Sequence, residues 1–362
     1  MDQILRITNN IKISAEIEQK PKKTNKKTKK AKNTPKTNDF KFLNTLQKGQ
    51  NSEIYLVENE KDKKQYVLKL IKKNSISNDK DLQRLFAEKT ILCEIKNPFI
   101  VQLHHSFLTE TDFCFLIDYI NGGDLYQILN YVHSFTENEI KFFAAELILA
   151  LKAIHKANYI YRDLKPENIL IDRTGHIHLT DFGVSKKLEK NERTNSFCGS
   201  LEYLAPEVLK NQKYGFEIDF WSLGMVLYEM FYGIPPFYSQ NLREMQKNIL
   251  NQEVNFEGVC SSEFKDLITK LLSKDPKKRL GSSKKGIKEI MKHPFFKEIN
   301  WTNFSNKKSQ PQFIPSFFFN QENLIQNENL ELKKNSFPSL EKTNPTCLDK
   351  ILFKDFEYDF RK

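Results

Sequence analysis

The chain has 362 residues, of which 39% are hydrophobic, 12% aromatic and 28% charged, with 29 phenylalanines against 12 glycines and a formal net charge of +11. That balance supplies a large apolar core, for one two-lobed domain or two ordinary ones, and excludes a collagen-like repeat or a wholly disordered chain. Five cysteines (Cys93, Cys114, Cys198, Cys260, Cys347), odd in number and never spaced Cys-x-x-Cys, argue against a disulfide framework or structural zinc and for a reducing compartment.

Residues 1–38 hold eleven Lys and Arg against three acids, so this leader carries +8 and the remaining 324 residues only +3. Nine lysines fall between Lys20 and Lys36 with no acid or aromatic among them, a composition that cannot bury enough apolar surface to fold. A solvated tail is the plain reading. A nuclear-import signal, or weak contact with acidic lipid or nucleic acid, is the sharper one. The opening fourteen residues carry Asp2, Arg6 and Lys12 without a long apolar run, so no secretion signal is read and a cytoplasmic or nuclear location is expected.

From Asp39 the pattern alternates at 40–46, 54–57 and 65–71, which predicts an antiparallel sheet. A helix is expected around 82–95, strands near 101–107 and 113–120, and helical periodicity at 137–155 and 220–231. A small sheet-rich lobe thus precedes a helical one, with no fixed-period repeat. The most membrane-like stretch, 220–237, is interrupted by Glu229 and broken by Gly233, Pro235 and Pro236; it reads as a buried helix, not a membrane span.

Within 65–71, alternation puts Val67, Lys69 and Ile71 on one face, where a buried ammonium needs an anionic partner. A strand-end lysine snorkelling to solvent fits the pattern as well, and Glu88 in the next helix is the candidate partner. Further on, 168–172 and 177–181 are joined by Arg173-Thr174-Gly175-His176, which predicts a hairpin over a four-residue turn. Pairing 172 with 177 sets 168 opposite 181, so the Asn168 amide and the Asp181 carboxylate converge as hard oxygen donors suited to magnesium. Asp163 lies five residues before Asn168, within reach of a substrate hydroxyl.

Lys69, Glu88, Tyr-Arg-Asp-Leu-Lys-Pro-Glu-Asn at 161–168, Asp-Phe-Gly at 181–183 and Ala-Pro-Glu at 205–207 together resemble the ordered signature set of eukaryotic protein kinases. Ser-Phe-Cys-Gly-Ser at 196–200, His-Pro-Phe-Phe at 293–296 and a tail ending Phe353-Lys-Asp-Phe-Glu-Tyr are similar to the AGC group of serine/threonine kinases. The resemblance spans about 39–362. It implies an α+β bilobal protein kinase fold: a small antiparallel-sheet N-lobe (39–119), a larger helical C-lobe (120–296) and an AGC C-terminal tail (297–362). It also implies ATP and magnesium as cofactors, with Lys69 and Glu88 at the α and β phosphates, Asn168 and Asp181 on the metal, Asp163 steering the hydroxyl proton and Lys165 near the γ-phosphate. Leu46, Gln47, Lys48, Gly49, Gln50, Ile54, Val67 and Leu170 would line the nucleotide, beside a gatekeeper Ile117 and the adenine-binding backbone of Asp118 to Ile120. Glu207 with Arg279 would support the activation segment, and Asp219 would anchor the catalytic loop.

The phosphate-covering loop departs from the family pattern. Only the middle glycine, Gly49, survives, with Gln47 and Ser52 at the outer positions, so weaker nucleotide affinity is expected and a nucleotide-binding pseudokinase scaffold is the alternative. Asp124, Glu167 and Glu229 fall where related kinases bind arginines, which implies basic protein substrates. Ser196 matches the activation phosphosite, with Arg162 and Arg84 as phosphate partners and an upstream kinase implied. Phe353, Phe356, Glu357 and Tyr358 resemble the hydrophobic motif that folds onto the small lobe, Glu357 supplying a fixed charge as in atypical protein kinase C relatives. A monomer is expected, the phenylalanine face of this tail being the competing oligomer contact. Ser336 and Ser339 are candidates for a turn-type phosphosite.

Overall fold

The computed structural model describes residues 39–189, 192–316, 356 and 358–359. The basic leader, Phe353, Glu357, Ser336 and Ser339 lie outside the described residues. Six strands form the first sheet: β1 (Phe40–Lys48), β2 (Ser52–Asn59), β3 (Gln65–Lys72), β4 (Leu103–Leu108), β5 (Asp112–Asp118) and β10 (Tyr358–Asp359), in the order β1-β2-β3-β5-β4-β10. All pairings are antiparallel, as the alternation predicts.

Strand β3 shows how pattern becomes placement. Tyr66, Leu68 and Leu70 are buried with Phe40, Val57, Phe107, Cys114 and Leu116 on one face, leaving Val67, Lys69 and Ile71 on the other, toward the helical lobe. Register then aligns Gln47, Ile54 and Lys69 in one row across three strands, and Leu56, Val67 and Ile117 in another.

Helix α1 (Asp79–Glu94) begins where Asn78 accepts from the backbone N–H groups of Lys80 and Asp81. Beyond the sheet come α2 (Leu125–Val132) and α3 (Glu137–Lys156); a capping box between Thr136 and Glu139 starts α3. Short strands β6 (Tyr159–Ile160), β7 (Ile169–Ile171), β8 (Ile177–Leu179) and β9 (Lys186–Lys187) follow, then α4 (Pro206–Leu209) and α5 (Glu217–Tyr232). α6 (Leu242–Asn251), α7 (Ser262–Leu271), α8 (Ile287–Met291) and α9 (Trp301–Ser305) complete the lobe. The apolar stretch read as a buried helix is α5, buried from Glu217 to Met230. It ends at Gly233, whose φ of 76° and an added Cβ's 2.5 Å approach to the His133 carbonyl oxygen make glycine necessary. Among the described residues no helix is long and apolar enough to cross a membrane, and Cys93, Cys114, Cys198 and Cys260 are free thiols.

The β7–β8 hairpin corrects the expected register. Ile171 pairs with Ile177 and Ile169 with Leu179, so the frame is one residue tighter than 172 opposite 177. The turn holds three residues. Asp172 and His176 still pair by backbone (2.8 Å), Gly175 takes a φ of 92°, and the Asp172 carboxylate accepts from the Thr174 and His176 N–H groups. Asn168 therefore faces Thr180, whose N–H donates to its carbonyl at 3.1 Å. Asp181 stands one step past the ladder with φ 56°.

Candidate active site

Lys69 resolves its two readings in favour of the paired one. Its ammonium is 2.7 Å from Glu88 Oε1 on α1 and 3.4 Å from Asp181 Oδ1. Burial works against the charge on Lys69, yet the carboxylates of Glu88 and Asp181 outweigh it and hold the ammonium above the ordinary lysine range. Asp181 is shifted down, chiefly by Lys69, so it stays ionised while its side chain remains 51% exposed. Phe182 beside it is fully buried against Tyr161, which pins the residue after Asp181.

Asp163 sits in a net of donors. Its Oδ1 accepts from the Ser200 N–H (3.1 Å) and hydroxyl (3.2 Å), and its Oδ2 from the Asn168 amide (2.9 Å). Lys165 reaches both the Asp163 carboxylate (3.5 Å) and the Ser200 hydroxyl (2.8 Å). The Asn168 amide also donates to the Asp163 carbonyl at 2.8 Å, fixing its orientation. Beneath this loop, fully buried Asp219 accepts from the N–H groups of Tyr161 (2.9 Å) and Arg162 (2.8 Å) and meets His155 Nε2 at 2.7 Å.

At the strand β5 exit, Ile117 is buried, while the Asp118 N–H donates to the Gln102 carbonyl at 3.1 Å. The Asp118 side chain is held from behind by His104 (2.7 Å) and the Gln102 N–H (3.0 Å). Ile120, Val67 and Leu170 are half-buried, Leu46 is 45% exposed, and Ile171 donates to the Gly123 carbonyl. Lys48, Gly49 and Gln50 are exposed at the β1–β2 turn, closed by a Gly49 N–H to Ser52 carbonyl bond of 2.8 Å.

Chain matching agrees with this geometry: residues 40–296 match the protein kinase domain family. The chain is 45% identical over 283 residues to the serine/threonine-protein kinase Sgk1-A of Xenopus laevis, covering 78% of this chain and 65% of that protein. It is 45% identical over 285 residues to Sgk1 of Danio rerio (78% and 66%) and 44% identical over 283 residues to Sgk1 of Homo sapiens (78% and 65%). This chain belongs to the protein kinase family, in the AGC group of serine/threonine kinases. It spans about two thirds of the length of the curated relatives it matches, 65% for the first.

In this kinase the loop departures carry no backbone strain. Gln47 and Ser52 are ordinary strand residues, paired with Ile54 and Ile71, and neither has a positive φ. Arg162 donates to the Ser196 hydroxyl at 2.6 Å and to Tyr214 at 3.3 Å. Arg84 does not join them. It is half-exposed and turned to Asp81, 3.9 Å away on its own helix, because that carboxylate lies one turn back.

Four carboxylates of the kinase, Asp124, Glu167, Glu202 and Glu229, share one field. Burial raises Glu229 to about 7, with Glu167 and Glu202 adding to the lift against a 2.6 Å hydrogen bond from Tyr203. Burial likewise raises Asp124, which caps α2 and also feels Glu167. Glu229 lies in the stretch read as a buried helix, but the lift it takes from Glu167 and Glu202 was not legible in sequence.

The Glu207 carboxylate and Arg279 guanidinium form a bidentate pair (2.6 and 2.9 Å), both fully buried. Phe356 docks as the hydrophobic motif implies. It is fully buried among Phe86 (5.9 Å), Phe113 (5.1 Å) and Phe115 (5.3 Å), with Lys89 over its ring. Tyr358 continues as β10, paired with Ser106 of β4. Sequence reading missed Ser200, Tyr214 and His155; each acts across 18 to 64 residues, with no local spacing signal.

Proposed function

We propose that this kinase transfers the γ-phosphate of ATP to serine or threonine of arginine-rich proteins, within a domain of 39–296 followed by a tail of 297–362. The observation that carries the reading is the intact Lys69–Glu88–Asp181 arrangement facing an Asp163 already oriented by Asn168 and Ser200. Nothing in the geometry or the comparisons favours the scaffold alternative.

The donor set suits magnesium: an amide oxygen from Asn168 and an ionised, half-exposed carboxylate from Asp181 are hard ligands. When bound, the metal neutralises charge on the transferring phosphates. Lys69, held by Glu88, pairs with the α and β phosphates. Asp163 accepts a hydrogen bond from the substrate hydroxyl and takes its proton as the oxygen–phosphorus bond forms; the bond to the β–γ bridging oxygen breaks and ADP leaves. Lys165 offsets charge at the γ-phosphate. Catalysis is then positioning plus electrostatics. Exposed Gln47, Lys48, Gly49 and Gln50 cover the phosphates, while Ile117, Val67 and Leu170 enclose the adenine against the backbone of Asp118 to Ile120.

Because Gln47 and Ser52 relieve no strain, the double change Gln47→Gly with Ser52→Gly is expected to leave the KM for ATP within about threefold and to cost roughly 1–2 kcal/mol of stability. Steady-state kinetics and thermal melting read both; a KM falling tenfold would show that these side chains hinder the nucleotide.

Asp124, Glu167 and Glu229 form the arginine-binding field. A Glu229 pKa of about 7 means the group is mostly neutral at pH 6 and mostly carboxylate at pH 8. The KM for a serine peptide with upstream arginines, relative to its alanine counterpart, is therefore expected to fall by up to about tenfold from pH 6 to pH 8. Glu229→Gln flattens that slope. A flat ratio in the parent kinase, or equal rates on acidic and arginine-rich peptides, would overturn the specificity. Ser196, beside Arg162, is the site where an upstream kinase would add an activating phosphate.

A further inference from the structure

The activation segment is stitched to the start of α5 by contacts that need no phosphate. Thr194 and Tyr214 exchange both backbone hydrogen bonds (3.0 and 2.8 Å), and the Tyr214 hydroxyl donates to the Ser196 carbonyl at 2.6 Å. Arg193, next to this bridge, donates from Nε (3.3 Å) and Nη2 (3.1 Å) to the Lys213 carbonyl and closes an ion pair with Glu217. The Glu217 side chain is only 11% exposed, accepts from the Gly215 N–H at 3.2 Å, and occupies the first turn of α5, where the helix dipole favours an acid. A Cβ on Gly215 would lie 2.9 Å from Glu217 Oε2 and 3.6 Å from Arg193 Nη1, so glycine leaves the pair its room.

Two residues further along that same turn, Asp219 holds the backbone of Tyr161 and Arg162, and the Glu217 carbonyl accepts from buried Arg279 at 2.9 Å. One rigid helix start therefore carries both the segment bearing Ser196 and the loop bearing Asp163. An ion pair whose partner Arg193 is 44% exposed contributes little to global stability; its leverage is on the position of the segment.

We propose that Arg193 and Glu217 are positioning residues that dock the activation segment before phosphorylation, so that a substantial share of activity survives without a phosphate on Ser196. The proposal rests on the kinase reading above and deepens it. With the pair closed, the Ser196 hydroxyl already meets Arg162, and a phosphate reinforces an arrangement that exists without it.

The test uses full-length protein. Ser196→Ala is expected to retain at least about a tenth of the kcat of the Ser196-phosphorylated enzyme, and adding Arg193→Ala or Glu217→Gln to lower kcat a further fivefold or so, with the KM for ATP within about twofold. Arg193→Lys restores part of the loss. In the Ser196-phosphorylated enzyme, Arg193→Ala changes kcat by less than about twofold, because the phosphate on Arg162 substitutes for the clamp. Chymotryptic cleavage after Phe197, 61% exposed, should quicken about fivefold in Ser196→Ala/Arg193→Ala. Unchanged kcat and unchanged cleavage in that double variant would overturn the proposal. If the parent chain transfers no phosphate, the functional reading fails on its own, and the cleavage rates alone decide whether the pair docks the segment.

Discussion

Asp181→Asn is expected to lower kcat roughly a thousandfold or more, because it removes the ionised oxygen donor proposed for the metal. The fold should survive. Lys69 keeps its 2.7 Å contact with Glu88, and the Asp181 side chain is half-exposed, so the melting temperature should move by only a few degrees. Phosphate-transfer kinetics and thermal melting on the same preparation check both halves. Turnover near that of the parent chain would remove Asp181 from the chemistry.

The second large effect is structural. Arg279→Leu leaves the Glu207 carboxylate buried without its bidentate partner and strips donors from the Glu217 (2.9 Å) and Ser273 (3.2 Å) carbonyls. Breaking a buried pair from one side costs about 3–5 kcal/mol, which in a domain of this size lowers the melting temperature by roughly 10 °C. Adding Glu207→Leu should recover much of the loss, since an apolar replacement of both partners leaves no orphaned charge. A single variant that melts within about 2 °C of the parent would show that the pair is not a support of the activation segment.

Legibility did not follow distance along the chain: the resemblance supplied Glu207 with Arg279 and the Asp219 anchor across 72 and 58 residues, while the local turn after Asp172 was misjudged. Val67, Lys69 and Ile71 were placed on the correct face by alternation alone, and the Lys69–Glu88 pair followed from the chemistry of a buried ammonium. The expected pairing of 168 with 181 is one residue out of register, because the turn is closed by the Asp172 side chain and a left-handed Gly175, which a count of residues does not show. The resemblance offered Arg84 as a phosphate partner, yet could not show that Asp81 on the same helix lies within its reach. His155, Tyr214 and Arg193 find their partners across 18 to 64 residues, distances at which only the folded chain decides neighbours. Glu229 illustrates the same limit in electrostatics: its acidity depends on burial in α5 and on Glu167 and Glu202, not on its sequence neighbours.

The most direct test of the central claim is transfer of labelled phosphate from Mg-ATP to an arginine-rich serine peptide, run on the purified parent chain beside Asp163→Asn prepared in parallel. Transfer by the parent, with loss of roughly a thousandfold or more in the variant, is the expected result. Absence of transfer by the parent with Ser196 phosphorylated, or equal transfer by both, would contradict it.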